Sequence, residues 1–515
     1  MKQPTFQHIS GNTGGDILFD TPFDYLFEYL CRQKDCVLPK QQSTIRGLLR
    51  LGEIMGDPGD VITEELDSDI PALYTYFGQF IDHDLTARTD REEGISEIAG
   101  PDGNAREITP LDPNEVIEKI RNGRRPQLDL DSLFGDGPSF ADNDTENYNY
   151  HTIADSLYDK RNLKLKVEFD KDRGYLDILR YEDGKARLAD ERNGENVMIS
   201  QLHAVFKLFY NNVIDYLKET EPNQEREHRY AKARKLTRWA YQYVVVEDYL
   251  KRVCMPEIVT NTLDNGVRFF QPGRRLFMPL EFSVAAFRFG HSMIRPEYTL
   301  NNRSQNQKIN TLLGTKGHLD NGRLKVESVI NFSNFVSIGG SDPQKARLID
   351  PKIAKGLFDL SNLGPKMGSM LAKLTQRNLL RGYLLSLPTG QSVAHAMGIH
   401  PMTPDEVLKN FKDTNNDNQR SDIESFGFDT KTPLWFYILQ EAQVHSNGKR
   451  LGAVGSTLVT ETILGLLQND PNSYLSKCCD AKIEQENGKK GLRIGKQIIS
   501  TLADIVQIGL GTTML

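Results

Sequence analysis

Apolar residues recur at intervals of three and four along most of the chain and alternate at intervals of two in few places. Between Val197 and Leu217, the residues Ile199, Leu202, Phe206, Phe209, Val213 and Tyr216 share one face, as in an amphipathic helix laid on a core. The same spacing predicts helices over Ala72–Leu85, Ala231–Leu250, Pro279–Met293, Lys366–Leu385, Thr403–Phe411, Pro433–Ala442, Gly452–Gln468 and Gly495–Val506. Ser68 and Pro71 read as the N-cap and starting proline of the first of these, and Thr403-Pro404 and Thr432-Pro433 repeat that signal. Alternation is clearest over Leu163–Phe169 and Gly174–Leu179, with a hairpin turn at Lys171–Gly174. The expected architecture is all-α, mainly helical. A single large domain spans 60–515 with a hairpin-bearing insertion at 140–190, and residues 1–59 form an N-terminal arm packed on the core.

Composition narrows the class of partner. Hydrophobic residues at 38% and charged residues at 26% describe an ordinary globular chain, and a net charge of -7 without any Lys/Arg run disfavours nucleic acid. No stretch approaches the roughly 18 uninterrupted apolar residues of a membrane span, so no transmembrane segment is expected. The first residues, Met1 to His8, lack the apolar run of a signal peptide. The expected location is the cytoplasm, or the exterior by a route that uses no cleavable leader. Five cysteines are too few for a disulfide framework in a chain of this length, which fits a reducing compartment, and Cys478-Cys479 read as surface thiols.

The candidate chemistry lies in five segments. The aromatic-rich helix Tyr74–Leu85 carries Gln79, Asp82, His83 and Asp84, four polar groups within six residues. Gln79, Asp82 and His83 stand at i, i+3 and i+4 on one face, while Asp84 points elsewhere. A lone buried histidine is usually satisfied by its neighbours, but this density of polar groups demands buried partners. Arg125–Gly135 brings Asp129 and Asp131 close to each other, carboxylates of the kind that hold a hard cation. Asp190–Asn196 contains Arg192 and Glu195, in isolation an i, i+3 surface pair. Pro279–Ile294 is apolar and carries Gly290-His291, and Arg377–Pro388 places Asn378 and Arg381 inside an apolar periodic run.

Phe77-Gly-Gln-Phe-Ile-Asp-His-Asp84 resembles the distal helix of the peroxidase-cyclooxygenase superfamily, the animal-type haem peroxidases, and the other four segments follow in that family's order between about Asp60 and Leu467. The resemblance implies haem b held by His291 as axial iron ligand, with His83, Arg192 and Gln79 as catalytic residues on the peroxide side. It implies ester bonds from Asp82 and Glu195 to the haem, a hydrogen bond from the proximal imidazole to Asn378, and a haem-propionate contact at Arg381, with Arg288 also among the haem-binding residues. Small residues at Ala285, Ala286 and Gly290 would let a flat macrocycle approach His291. Ca²⁺ is implied at Asp84, Asp129 and Asp131 with the backbone carbonyls of Arg125 and Gln127. Arg125 stands where the family has threonine, so one hydroxyl ligand is lost. Asn196 stands where some members carry methionine, so a sulfonium link to the haem is not expected. The scarcity of cysteine makes the chain look like the bacterial branch.

The activity implied is reduction of hydrogen peroxide with oxidation of a halide, a pseudohalide or a small phenolic donor. His83 would move a proton between the peroxide oxygens, and Arg192 would stabilise charge on the departing one. Fatty-acid dioxygenation, the alternative within the superfamily, needs a tyrosine three residues before the proximal histidine, where this chain has Arg288. A further alternative is a non-catalytic haem-binding or adhesion module.

Overall fold

Burial of the apolar stripe on Val197–Thr220 organises the molecule. The computed structural model describes residues 21–57, 63–90, 108–138, 156–159, 161–273, 275–360, 372–415 and 417–515. The longer helices are α1 (Gln42–Ile54), α2 (Leu73–Leu85), α3 (Val197–Thr220), α4 (Arg226–Val244), α5 (Leu374–Leu384), α6 (Leu434–Ser446), α7 (Ala453–Asn469) and α8 (Leu502–Gly509). Helix α3 is central and packs against α2, α4 and α8. Its contact with α2 is an aromatic stack, Phe80 on Phe206 with ring centroids 4.7 Å apart and Phe77 on the same ring at 6.0 Å. The sheets are small, of two to four strands, and the chain is mainly helical as expected.

Several boundaries differ from the sequence reading for physical reasons. Ser68 and Pro71 do not start α2. Asp67–Pro71 is a strand paired with Lys345–Arg347, and the Ser68 hydroxyl donates to the Ala346 carbonyl at 3.0 Å. Helix α2 begins at Leu73 with no side-chain cap, so pairing with a distant strand has replaced the local cap. The expected helix over Pro279–Met293 is broken: Met278–Pro279 is a strand, Glu281–Ala285 is wound as a π-helix and Ala286–His291 as a 3₁₀-helix. In a 3₁₀ turn, residues three apart eclipse, so Arg288 and His291 face the same way. The 495–506 stretch divides at Gly495, whose φ of +59° makes a turn between the strands Lys489–Ile494 and Gln497–Ile499, and α8 follows. Thr403 and Glu406 form a capping box, but that helix lasts only from Pro404 to Val407. Of the helix expected over Lys366–Leu385, residues 366–371 lie outside the described residues.

Two peripheral segments frame the centre. Glu168–Asp170 and Tyr175–Asp177 pair as an antiparallel hairpin inside the 140–190 stretch, of which 140–155 and 160 lie outside the described residues. At the N-terminal side, where 1–20, 58 and 59 lie outside the described residues, Thr21–Asp24 pairs antiparallel with Ile120–Asn122 and parallel with Met278–Pro279. Leu26 and Phe27 then donate their backbone N–H groups to the buried carboxylate of Glu281 at 2.8 and 2.9 Å. The first turn of the segment leading to His291 is thereby tied to the beginning of the described chain.

Burial raises the Glu281 pKa to about 7 against the pull of the two N–H groups. The folded chain therefore holds a proton that the unfolded chain has released above its ordinary value of 4.5. This group's contribution to stability declines as pH climbs through that window and is constant above it. Glu281→Gln is expected to lose less of its urea midpoint than the parent chain between pH 5 and pH 7.5; an unchanged slope would contradict the assignment.

Candidate functional site

His83 and His291 line the same cavity, of about 290 Å³, although 208 positions separate them in the chain (291 − 83). Gln79, Asp82, Glu195, Asn196, Tyr249, Arg288 and Arg377 contribute polar groups to its wall, and Phe287, Ile294, Leu313, Leu357, Leu360 and Leu374 the apolar remainder. A second cavity of about 240 Å³ shares Arg288, His291, Leu374 and Arg377 and adds Asn378 and Arg381. Glycines set the approach on both sides. A Cβ at Gly78 would collide with the Tyr249 hydroxyl, whereas one at Gly290 would meet nothing within 4 Å, which leaves open space beside His291.

On the α2 side, burial and then the charge of Arg192 lower the His83 pKa, so its ring is neutral at working pH. Its Nδ1 lies 2.9 Å from Asn193 Oδ1 and its Nε2 3.9 Å from Glu195 Oε1. The Gln79 amide donates to Glu195 and accepts from Asn196 Nδ2 at 3.2 Å. Asn196, in the position where methionine was considered, also caps α3 by accepting from the Ile199 N–H at 2.8 Å. Asp82 pairs with Arg288 Nη1 at 3.2 Å and accepts from the Thr86 hydroxyl at 3.0 Å.

Arg192 sits differently from the expectation of a group facing peroxide. Its Nε and Nη2 donate to Asp190 at 3.0 and 2.7 Å, and Nη2 also donates to the His83 backbone carbonyl at 2.9 Å. The guanidinium supports His83 from behind and is not among the groups lining the cavity. Asp190 is fully buried and also holds Arg124. Burial alone would raise the Asp190 pKa, but Arg192 and Arg124 outweigh it and keep the carboxyl well below its usual range.

On the opposite side, burial, aided by Arg288 and Arg377, pushes the His291 pKa down to about 3, so the ring is neutral at any working pH. The Asn378 amide nitrogen lies 3.0 Å from His291 Nδ1. Amide nitrogen and oxygen exchange places on a half-turn, and with the oxygen inward the amide accepts from Nδ1–H and leaves the Nε2 lone pair free. Trp435 packs edge-on to the ring at 6.3 Å. Of the three small residues on this segment, Gly290 lines the cavity, while Ala285 and Ala286 are packed inside the core.

Asp84, Asp129 and Asp131 converge: each offers an oxygen within 4.8 Å of the others', and all three are buried. Burial, reinforced by its carboxylate neighbours, raises the Asp84 pKa well above the ordinary value, and burial pushes Asp131 to about 7. Neither oxygen of Asp131 accepts a hydrogen bond, although Arg124 Nη1 is 3.7 Å from Oδ1. Leu128 and Leu130 take left-handed φ values of +52° and +59°, a strained conformation that turns Asp129 inward. The Arg125 carbonyl accepts from the Gln127 N–H at 2.8 Å, and the Gln127 carbonyl receives the Gln242 amide at 3.5 Å. Ser132, which the sequence did not mark, places a hydroxyl 3.2 Å from Asp84 Oδ1. Asn193 and Arg124 are recognisable only by partners far away in the chain, whereas Asp190, bonded to Arg192 two residues on, carried a local signal that the sequence reading did not use.

The sequence and the mainly helical fold are both matched by known proteins. Residues 138–425 match the family model described as animal haem peroxidase, and the chain belongs to that family and to the peroxidase-cyclooxygenase superfamily. The matched span holds Arg192, Glu195, Arg288, His291, Asn378 and Arg381; α2 and the Asp129 loop precede it. The chain is 25% identical over 280 residues to the probable oxidoreductase PXDNL of Homo sapiens, an alignment covering 51% of this chain and 17% of that relative's length. It superposes on peroxidase A of Dictyostelium discoideum with a TM-score of 0.63 at 14% identity, covering 99% of this chain and 98% of the other. The fatty acid α-dioxygenase of Arabidopsis thaliana superposes with a TM-score of 0.60 at 14% identity over 92% of this chain and 76% of the other. These two share its fold. The haem that the family implies fits the residues present: His291 offers a neutral imidazole, Gly290 leaves room beside it, the walls are partly apolar, and Arg288, Arg377 and Arg381 supply cations for carboxylates.

Removing the charge at Asp190 leaves the buried guanidinium of Arg124 facing that of Arg192, which is about a third exposed, with no anion between them. Asp190→Asn is expected to cost about 3–5 kcal/mol in urea unfolding, as for a broken buried ion pair. A loss under about 1 kcal/mol, the range of an exposed pair, would show that the network does not hold the site.

Proposed function

We propose that the protein is a haem peroxidase that reduces hydrogen peroxide and oxidises a halide, a pseudohalide or a small phenolic donor. The observation carrying this reading is the pair of neutral imidazoles, His83 and His291, on one cavity wall. His291, oriented through Nδ1 by Asn378, would hold the haem iron; Arg381 and Arg377 would meet its carboxylates, and Arg288 pairs with Asp82. Bound haem supplies the redox chemistry that splits the peroxide O–O bond. His83 takes the proton of the incoming peroxide at Nε2 and returns it to the departing oxygen as water. Gln79, fixed between Glu195 and Asn196, orients the small molecule opposite. Arg192 holds the His83 carbonyl, so its contribution is to keep the base in place and neutral. Asp82 and Glu195 line the cavity and are the carboxylates for ester bonds to the haem methyls. Arg288, salt-bridged to Asp82, occupies the position where a dioxygenase needs a phenol, which favours the peroxidase over the oxygenase.

We further propose that Asp84, Asp129 and Asp131 hold Ca²⁺, with the Ser132 hydroxyl beside them and the carbonyls of Arg125 and Gln127 as additional oxygens. Adding Ca²⁺ to chelator-treated protein is expected to raise its melting temperature, and Asp84→Ala to abolish the rise; a melting temperature indifferent to Ca²⁺ removes the metal from this account.

Haem-loaded protein is expected to oxidise a phenolic dye or bromide with peroxide. His83→Ala should lower the rate of reaction with peroxide by about 10²–10⁴-fold, the usual worth of a positioned acid-base group, while the haem stays bound. Undiminished peroxide reaction in that variant, or oxygen uptake driven by fatty acid in place of dye oxidation, would overturn the reading.

A further inference from the structure

The turn Glu191–Gly194 holds His83 twice, through its backbone and through its ring. Arg192 takes the carbonyl of His83, and the next residue, Asn193, takes the ring: its Oδ1 lies 2.9 Å from Nδ1. Asn193 is completely buried, so water does not compete for that contact. A neutral imidazole carries one proton, on one nitrogen or the other. An amide oxygen can only accept, so beside Nδ1 it obliges that nitrogen to keep the proton. Nε2, on the cavity side, is then left with its lone pair. The reversed amide, with Nδ2 toward the ring, would place the proton on Nε2 and leave no basic atom facing the cavity. Glu195, 3.9 Å from Nε2, pulls toward that second arrangement. Its carboxylate is half exposed and engaged by Gln79, whereas the Asn193 contact is shorter and dry. It is Oδ1 of Asn193 that faces the ring, and this orientation sets the first arrangement.

We infer that Asn193 is a positioning residue that holds His83 as its Nδ1–H tautomer, with Nε2 as the free base aimed into the cavity. Being uncharged, the amide fixes the ring without adding a negative charge beside it. The catalytic consequence rests on the peroxidase reading, but the tautomer does not and can be observed separately.

The test uses the full chain labelled with ¹⁵N-histidine, haem-loaded and held in the diamagnetic ferrous carbon monoxide form, or as isolated if it takes up no haem. Histidine ¹⁵N chemical shifts, assigned by comparison with His83→Ala, report which ring nitrogen bears the proton. The parent chain is expected to show His83 protonated at Nδ1. Asn193→Leu, which removes the acceptor at similar volume, should shift the population toward Nε2–H and slow the peroxide reaction by about 10–100-fold, the usual cost of losing an orienting partner. The KM for the phenolic donor should stay within about twofold, and Asn193→Asp, which keeps an acceptor oxygen, should retain the Nδ1–H form. A parent chain with His83 protonated at Nε2 would overturn the inference while leaving the peroxidase reading intact, and this measurement needs no variant to fold. Retention of the Nδ1–H form in Asn193→Leu would also overturn it. If His83→Ala reacts with peroxide unimpaired, the peroxidase reading fails and the tautomer result still stands.

Discussion

A carboxylate that solvent does not reach has to be neutralised by the protein itself, and Asp190 is neutralised twice, by Arg124 and by Arg192. Burying the Asp190–Arg124 pair is costly and is tolerated only where geometry is good, and the partly exposed Arg192 adds a second positive partner. Arg192 reaches the His83 carbonyl, and Arg124 approaches Asp131 in the carboxylate cluster. The turn that carries Asp190 is thus fixed against α2 and against the loop at Asp129, and Asn193 meets the His83 ring as a result of that placement. His83, its support and the carboxylate cluster form one electrostatic unit.

Short-range features of the chain were the legible ones. Gln79, Asp82 and His83 share a face of one helix, so their spacing alone implied a common surface, and Asp129 and Asp131 lie in one loop. The long amphipathic run at α3 was equally plain because its period extends over many turns. Partnerships across the chain were not legible. Nothing in the local sequence tells that Arg192 turns to a backbone carbonyl 109 positions away, or that Ser68 serves a strand instead of a helix. The winding around His291 was also hidden, since apolar residues on a short buried segment satisfy α, π and 3₁₀ geometries alike.

Strain and burial are concentrated where polar groups must be aimed. Two leucines in left-handed conformation bracket Asp129, and the Gln242 amide holds the Leu128 carbonyl at 3.0 Å while accepting from the Tyr474 N–H at 3.0 Å. The loop is therefore braced by α4 and, through Tyr474, by the chain beyond α7. On the other side, the change of winding at Ala285 (φ −124°, ψ −70°) sets Arg288 and His291 on one edge, between α2 and α6. Both of these distortions lie next to a group that faces the cavity or the cluster.

Because α2 ends at Leu85, the His83 carbonyl lies in its last turn, where the helix provides no further N–H to receive it. Arg192 fills that role and brings a positive charge to the negative end of the helix dipole. Position 192 is therefore committed to the integrity of the helix as well as to the pocket, and mutational drift there would unravel the terminus before it altered selectivity. Gln79 and Glu195, by contrast, engage each other and face the cavity. One guanidinium thus closes a helix end and props up a pocket wall at the same time.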